Sequence, residues 1–341
     1  MDTRCGVSGI RNWGTDMALL QAEQLKMHFP IHGGIFYRQL ATVFAVDGVS
    51  FSIEPGKTLG LVGESGCGKS TIGRALVGLY RATAGQIMFQ GQNIAGLKGE
   101  ALKSLRSNMQ MIFQDPYESL NPRHTIGDIL AEPFIIHRQG NPAQRNQQVL
   151  SLLDRVGLPA DAVHKYPHEF SGGQRQRIGI ARAVALHPKL IICDEPVSAL
   201  DVSIQSQILN LLLELQQEMG MAYLFIAHDL AVVKHVSDQI AVMYLGRIVE
   251  IADSEDIYLH PLHPYTQALL SAIPMPDPKQ RRRFKPLPGE VPSPINPPPH
   301  CHFVERCPYA TDRCRTETPL LRKIDGQAGS HQVACHFAGD L

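Results

Sequence analysis

The sequence predicts an α/β fold built on a parallel sheet, and three observations predict it. Short apolar runs without alternation, KTLGLVG (Lys57 to Gly63), LIIC (Leu190 to Cys193) and MAYLFIA (Met221 to Ala227), read as strands buried on both faces. Segments with helical spacing lie between them. A glycine-rich stretch, GESGCGKST (Gly63 to Thr71), joins the first of these strands to a helix, as in a strand–loop–helix unit.

Taken in order, β-rich and helical patterns alternate from residue 18 to about 258, the extent expected for the main domain. Residues 1–17 carry no apolar h-region and read as a disordered tail or a mis-assigned start, since Met17 directly precedes strand-like pattern. STIGRALVGLY (Ser70 to Tyr80) is the predicted helix after the glycine loop. The stretch from Gln114 to Glu169 is more polar and reads as helices and loops, a helical insertion. Ile204, Ile208, Leu211, Leu212, Leu215 and Met219 recur at helical spacing, and Gly220 stands where a helix C-terminal glycine belongs. After about Leu259 the composition changes. Seven of the fourteen residues from Pro286 to Pro299 are proline, which predicts an extended backbone, and a compact cysteine- and histidine-rich tail follows. Residues 259–341 are therefore expected to form an extension.

Gly63, Gly68, Lys69 and Ser70 match the P-loop spacing. Its physics is specific. Glycines let consecutive N–H groups across Gly63, Glu64, Ser65, Gly66, Cys67 and Gly68 curl around phosphate oxygens, and the helix behind presents its positive end. Lys69 adds a cation for the β- and γ-phosphates, and the Ser70 hydroxyl can ligate Mg²⁺, with Thr71 following it into the helix. Asp194 and Glu195 end a buried strand at the carboxyl edge of a parallel sheet, where such folds bind ligands. Asp194 is expected to hold Mg²⁺ and Glu195 to polarise the attacking water, because phosphoryl transfer relies on positioning and electrostatics.

The bulk numbers set limits. The 32 basic residues balance the 32 acidic ones, which argues against a nucleic-acid protein relying on a global positive field. No apolar run approaches the roughly 18 residues of a membrane helix. Of seven cysteines, Cys301, Cys307, Cys314 and Cys335 crowd the last forty-one residues at C-x5-C-x6-C-x20-C spacing. Four thiolates suit tetrahedral zinc or an iron–sulfur cluster. Zinc sites usually show closer knuckles, so the spacing favours the bulkier cluster, with zinc and unmetallated thiols as alternatives. The basic run Arg281 to Lys285 reads as a solvated linker face or a patch attracted to anionic lipid.

The set GESGCGKST, Gln114 in IFQDP, FSGGQ (Phe170 to Gln174), LIICDEP (Leu190 to Pro196), SALD (Ser198 to Asp201) and His228 resembles the nucleotide-binding domain of ABC transporters over about 240 residues. The resemblance implies a RecA-like α/β core with an antiparallel β subdomain and a helical subdomain at about 115–180, binding ATP and Mg²⁺. It implies that Ser171, Gly172, Gly173 and Gln174 contact the γ-phosphate held by the opposite subunit of a head-to-tail dimer. A serine hydroxyl, glycine N–H groups and a helix N-terminus are chemically apt for that. It also implies that Gln114 senses Mg²⁺ and water, that His228 touches the γ-phosphate, and that Asp201 acts across the dimer. An aromatic after the first strand stacks on adenine in this family; Phe29 is the expected residue, with Phe36 or Tyr37 as alternatives.

QDPYESLNPR (Gln114 to Arg123), YPHEFSGGQRQRI (Tyr166 to Ile178), PVSALDVSIQSQ (Pro196 to Gln207) and HPLHPYTQALLSAIP (His260 to Pro274) are similar to the peptide-importer ATPases, and the GGQRQR and YESLNPR forms to their F-type subunit. The resemblance implies a D-type ATPase partner, two permeases, an extracytoplasmic solute-binding protein, no nucleic acid, and a place at the cytoplasmic face of a bacterial inner membrane. Dipeptides or oligopeptides are the implied cargo, with nickel or another small solute as the alternative. Some relatives with a similar tail carry a four-iron four-sulfur cluster. A soluble, non-transport ABC ATPase is the remaining rival; it lacks support because no second ATPase domain, coiled coil or basic face is visible.

Overall fold

The structure, a computed structural model, describes residues 18–34, 36–273, 287–324 and 331–339. The segment 1–17 and the basic run Arg281 to Lys285 lie outside the described residues. In chain order the described strands are β1 (Leu20–Gly33), β2 (Arg38–Ile53), β3 (Thr58–Val62), β4 (Ala84–Phe89), β5 (Gln92–Asn93), β6 (Met109–Ile112), β7 (Leu190–Asp194), β8 (Ala222–Ala227), β9 (Gln239–Tyr244), β10 (Arg247–Asp253), β11 (Arg322–Lys323) and β12 (Gln332–Val333).

They form two sheets. One is antiparallel, in the order β2-β1-β4-β5; the other has the order β11-β12-β10-β9-β3-β8-β7-β6. Within the second, β9, β3, β8, β7 and β6 run parallel. Every residue of β3, β7 and β8 is buried, which explains their unbroken apolar runs. Alternate residues serve opposite faces. Leu190, Ile192, Leu224 and Ile226 pack with Ile72 and Leu76 of the helix Lys69–Leu76. Ile191, Cys193, Tyr223 and Phe225 pack with Ile208, Leu211, Leu212 and Leu215 of the helix Val202–Met219. Burying each such side chain is worth about 1.5–3 kcal/mol, so this two-faced packing fixes the sheet edge that carries the chemistry.

The helix after the glycine loop is shorter than its pattern suggests. It ends at Leu76, because Gly78 adopts φ 69°, outside the helical region. The helix Val202–Met219 ends as expected, at Gly220 with φ 65°, whose N–H donates to the Gln216 carbonyl at 2.8 Å. The polar middle is helical: Ile126–Ile136, Pro142–Arg155 and Gly172–Val184 each start from a reciprocal capping box, at Thr125/Asp128, Asn141/Gln144 and Ser171/Gln174.

The cysteine tail is not a separate knot. Its strands β11 and β12 extend the central sheet beyond β10, with Val333 opposite Glu250 and Gln332 opposite Ile251. From residue 287 the proline-rich stretch bends, with positive φ at Gly289 and Asn296, and it docks on β2: the Phe44 N–H donates to the Pro294 carbonyl at 2.9 Å, and Asn296 N–H to that of Thr42 at 2.9 Å. No helix among the described residues is long and apolar enough to cross a membrane.

Candidate active site

Four adjacent parallel strands deliver the predicted groups to one edge. The glycine loop follows β3, Gln114 follows β6, Asp194 and Glu195 close β7, and His228 follows β8. The loop tolerates nothing larger at two positions. A Cβ on Gly63 would stand 2.1 Å from the Met243 carbonyl oxygen. One on Gly68, where φ is 108°, would stand 2.0 Å from that of Ala45. Lys69 is buried, and its Nζ donates to the carbonyls of Gly63 at 2.7 Å and Glu64 at 3.0 Å, so the ammonium lies within the loop. Ser65 and Gly66 are exposed, while Gly68, Ser70 and Thr71 are half-buried. Burial pushes the Cys67 thiol up despite the neighbouring Lys69, so it is held as a neutral thiol.

The Ser70 hydroxyl donates to Asp194 Oδ1 at 2.7 Å. Asp194 is almost fully buried, and burial raises its carboxyl pKa against the lowering effect of that hydrogen bond and of Arg74. A buried carboxylate beside a serine hydroxyl is a fitting place for a hard cation, which would replace the lost hydration. Beside it, the Glu195 backbone takes φ 46° and its N–H donates to the Ile226 carbonyl at 2.9 Å. Its Oε2 accepts from Gln114 Nε2 at 3.1 Å and lies 3.2 Å from His228 Nδ1. Gln114 and His228, 81 and 33 positions from Glu195, thus converge on one of its oxygens.

Other predicted residues stand apart. Ser171 is the N-cap of the helix Gly172–Val184: its hydroxyl accepts from Gln174 N–H at 3.3 Å, and Gln174 Oε1 accepts from Ser171 N–H at 2.9 Å. Ser171, Gly172 and Gln174 are exposed, Gly173 lies against Ile204, and no hydrogen bond among the described residues joins this segment to Gly63–Thr71. Asp201 is exposed at the head of the helix Val202–Met219. Phe29 is partly exposed and meets Tyr80 edge-on at 5.6 Å, whereas Phe36 and Tyr37 are largely exposed and Tyr37 stacks on His32 at 4.8 Å.

In the tail, Cys301, Cys307, Cys314 and Cys335 line one small cavity. Burial pushes the Cys301 thiol up to about 11 and raises Cys307 and Cys335 too, with the neighbouring cysteines adding in the same direction. Their side chains are not drawn to liganding separation: among the described residues no group of three or more His, Cys, Asp or Glu side chains stands at metal-holding geometry.

Sequence reasoning missed the support behind the loop. Arg306, from the cysteine tail, makes a two-point ion pair with the Glu64 carboxylate, and the Tyr265 hydroxyl accepts from Glu64 N–H. No periodicity or spacing rule links residue 64 to residue 306. The sequence around it, CHFVERC (Cys301 to Cys307), sets Arg306 beside Glu305, so it gives no local sign that the arginine is buried and pairs with a distant carboxylate.

A glycine loop between a parallel strand and a helix, with two adjacent carboxylates at the end of a second strand of the same sheet, defines a P-loop nucleotide-binding protein. Residues 46–198 match the family model described as ABC transporter, and residues 249–314 match that of the oligopeptide/dipeptide transporter C-terminal region. The oligopeptide transport ATP-binding protein AppF of Bacillus subtilis is 54% identical over 323 residues, covering 94% of this chain and 97% of that protein. The oligopeptide transport ATP-binding protein OppF of Escherichia coli is 52% identical over 324 residues, covering 93% and 95%. A dimeric structure of the ATP-binding cassette MJ0796, in a post-hydrolysis state bound to ADP and Pi, has a TM-score of 0.62 at 25% identity, covering 69% of this chain and 98% of that one. The chain belongs to the ABC transporter family of ATP-binding subunits, in the group that carries the oligopeptide/dipeptide transporter C-terminal region.

Proposed function

We propose that this chain binds and hydrolyses ATP to drive import of dipeptides or oligopeptides through separate membrane subunits. The observation that carries this reading is the convergence of Gln114 and His228 on Glu195 Oε2, beside the Ser70–Asp194 hydrogen bond, at the strand edge that holds the glycine loop. The peptide cargo follows from the C-terminal region and from relatives matched over nearly their whole length.

Each group has a role in this reading. Loop N–H groups and Lys69 neutralise the phosphates, Lys69 exchanging its present carbonyl partners for phosphate oxygens. Ser70, Asp194 and Gln114 would hold Mg²⁺, which would supply positive charge against the negative charge of the phosphates. Glu195 accepts a hydrogen bond from the attacking water and aligns it, its carboxylate steered by Gln114 and His228. Phe29 stacks on the adenine. Ser171, Gly172, Gly173 and Gln174 cap the γ-phosphate of the opposite subunit, with Asp201 at the same interface. The exposure of this segment, its lack of hydrogen bonds to its own loop and the dimeric MJ0796 cassette support that reading. The partner is a homologous D-type ATPase, and the pair sits at the cytoplasmic face of the membrane on two permeases fed by a solute-binding protein.

In the tail, the four thiolates suit a four-iron four-sulfur cluster, and their shared cavity supports this reading over scattered free thiols. Such a group, held by Cys301, Cys307, Cys314 and Cys335, would staple the extension.

Glu195→Gln tests the enzyme reading. The variant is expected to bind MgATP, to lose nearly all hydrolysis and to accumulate as a closed dimer; turnover at the parent rate overturns the assignment. For the tail, anaerobically purified protein is expected to be brown with stoichiometric iron and sulfide, and a colourless preparation carrying zinc rejects the cluster.

A further inference from the structure

Glu64 is held at every polar group it has. Its carboxylate accepts from Arg306 Nη1 at 2.8 Å and Nη2 at 3.0 Å. Its N–H donates to the Tyr265 hydroxyl at 2.9 Å, and its carbonyl accepts from Lys69 Nζ at 3.0 Å. The carbonyl also accepts from Cys67 N–H at 3.3 Å, so two of the four partners belong to the C-terminal extension. Both are buried, Arg306 with 7% of its side chain exposed and Tyr265 with none of its surface exposed. Phe303 packs against Tyr265 at 5.5 Å and edge-on to Tyr244 at 5.2 Å, and Arg306 Nη1 also reaches the Tyr244 hydroxyl at 3.5 Å.

We propose that Arg306 is a positioning residue for ATP binding: it clamps Glu64 and so sets the shape of the phosphate loop from behind. A two-point guanidinium–carboxylate pair fixes orientation as well as distance, which a single point charge cannot do. Glu64 is the second residue of the loop, directly after Gly63, whose own approach to Met243 leaves no slack. Any tilt of Glu64 shifts the carbonyl on which Lys69 rests and the loop N–H groups that follow. Arg306 is in turn set by the tail turn between Cys301 and Cys307, whose links are Val304 N–H to the Cys301 carbonyl at 3.1 Å and Arg306 N–H to that of Phe303 at 3.0 Å. The extension therefore acts on nucleotide affinity, and whatever fixes the cysteine turn fixes the clamp. This rests on the phosphate-site reading of Gly63–Thr71.

The test uses the full chain, alone for MgATP binding and with its transporter subunits for turnover. Arg306→Met, which removes the charge, and Arg306→Lys, which keeps the charge without the fork, are each expected to weaken MgATP binding by about tenfold or more and to raise KM with it, leaving kcat within about twofold. Glu64→Gln is expected to give the same shift, and Arg306→Met on top of it to add less than about threefold, because both remove one interaction. Parent-like affinity in the folded variants, or effects that multiply independently, overturns the clamp. Should Arg306→Met fail to fold, Arg306→Lys and Glu64→Gln decide the same question. Lys69→Ala separates this from the underlying reading. Binding lost there but intact in the Arg306 and Glu64 variants rejects the clamp alone, whereas parent-like binding in Lys69→Ala rejects the phosphate site as well.

Discussion

At Glu195 a non-glycine residue holds φ 46°, a conformation that costs about 1–3 kcal/mol and persists only where the surroundings impose it. The N–H bond to the Ile226 carbonyl on β8 and the two contacts at Oε2 impose it here. That conformation accompanies a carboxylate whose Oε2 meets Gln114 and His228. His263 shows the opposite use of a buried group. It is enclosed in the core, its Nδ1 accepts from Tyr265 N–H at 3.1 Å, and burial lowers its pKa to about 4. The unfolded chain takes up that proton near pH 6.5, so below about pH 6.5 the unfolded state binds more protons than the folded one. Stability is therefore full above that pH and falls as the pH drops toward 4, by about 3 kcal/mol in all. Denaturant unfolding across this range should show the slope. His263→Asn, which can supply the same acceptor to Tyr265, should flatten it, and equal slopes in both proteins count against the assignment.

Among the elements, the helix Gly172–Val184 is the informative one. Its capping box uses the side chains of Ser171 and Gln174 on each other's backbone, so the turn is preformed without a ligand, a cap worth about 1 kcal/mol. Its N-terminus is exposed and makes no hydrogen bond to the chain's own phosphate loop among the described residues. Ser171→Arg should therefore leave MgATP affinity of the isolated chain within about twofold, beyond the small loss of cap stability, while abolishing the closed dimer in the Glu195→Gln background. Light scattering with and without MgATP reads this out, and a dimer that survives would detach the segment from the interface. The tail strand β12 teaches a different lesson. It is two residues long, yet directly before it stands His331, whose Nε2 lies 2.8 Å from a Glu250 carboxylate that also accepts from Leu262 and His263 N–H. A fully buried carboxylate with three partners, rather than strand length, anchors the extension to the sheet.

For the molecule as a whole, the order and chemistry of the motifs were legible in the chain. The strands around Lys57–Gly63, Leu190–Cys193 and Met221–Ala227, the glycine C-cap at Gly220 and the loop glycines are local signals, since periodicity and positive φ are properties of a few neighbouring residues. The sequence alone therefore determined the α/β class, the phosphate loop and the acids at a strand end. Tertiary structure decided what those local rules do not encode: that β6, β7 and β8 bring Gln114, Glu195 and His228 to one oxygen, and that the cysteine tail joins the central sheet. It also decided that Arg306 reaches back to Glu64, because a buried charge needs a partner but only packing selects which one.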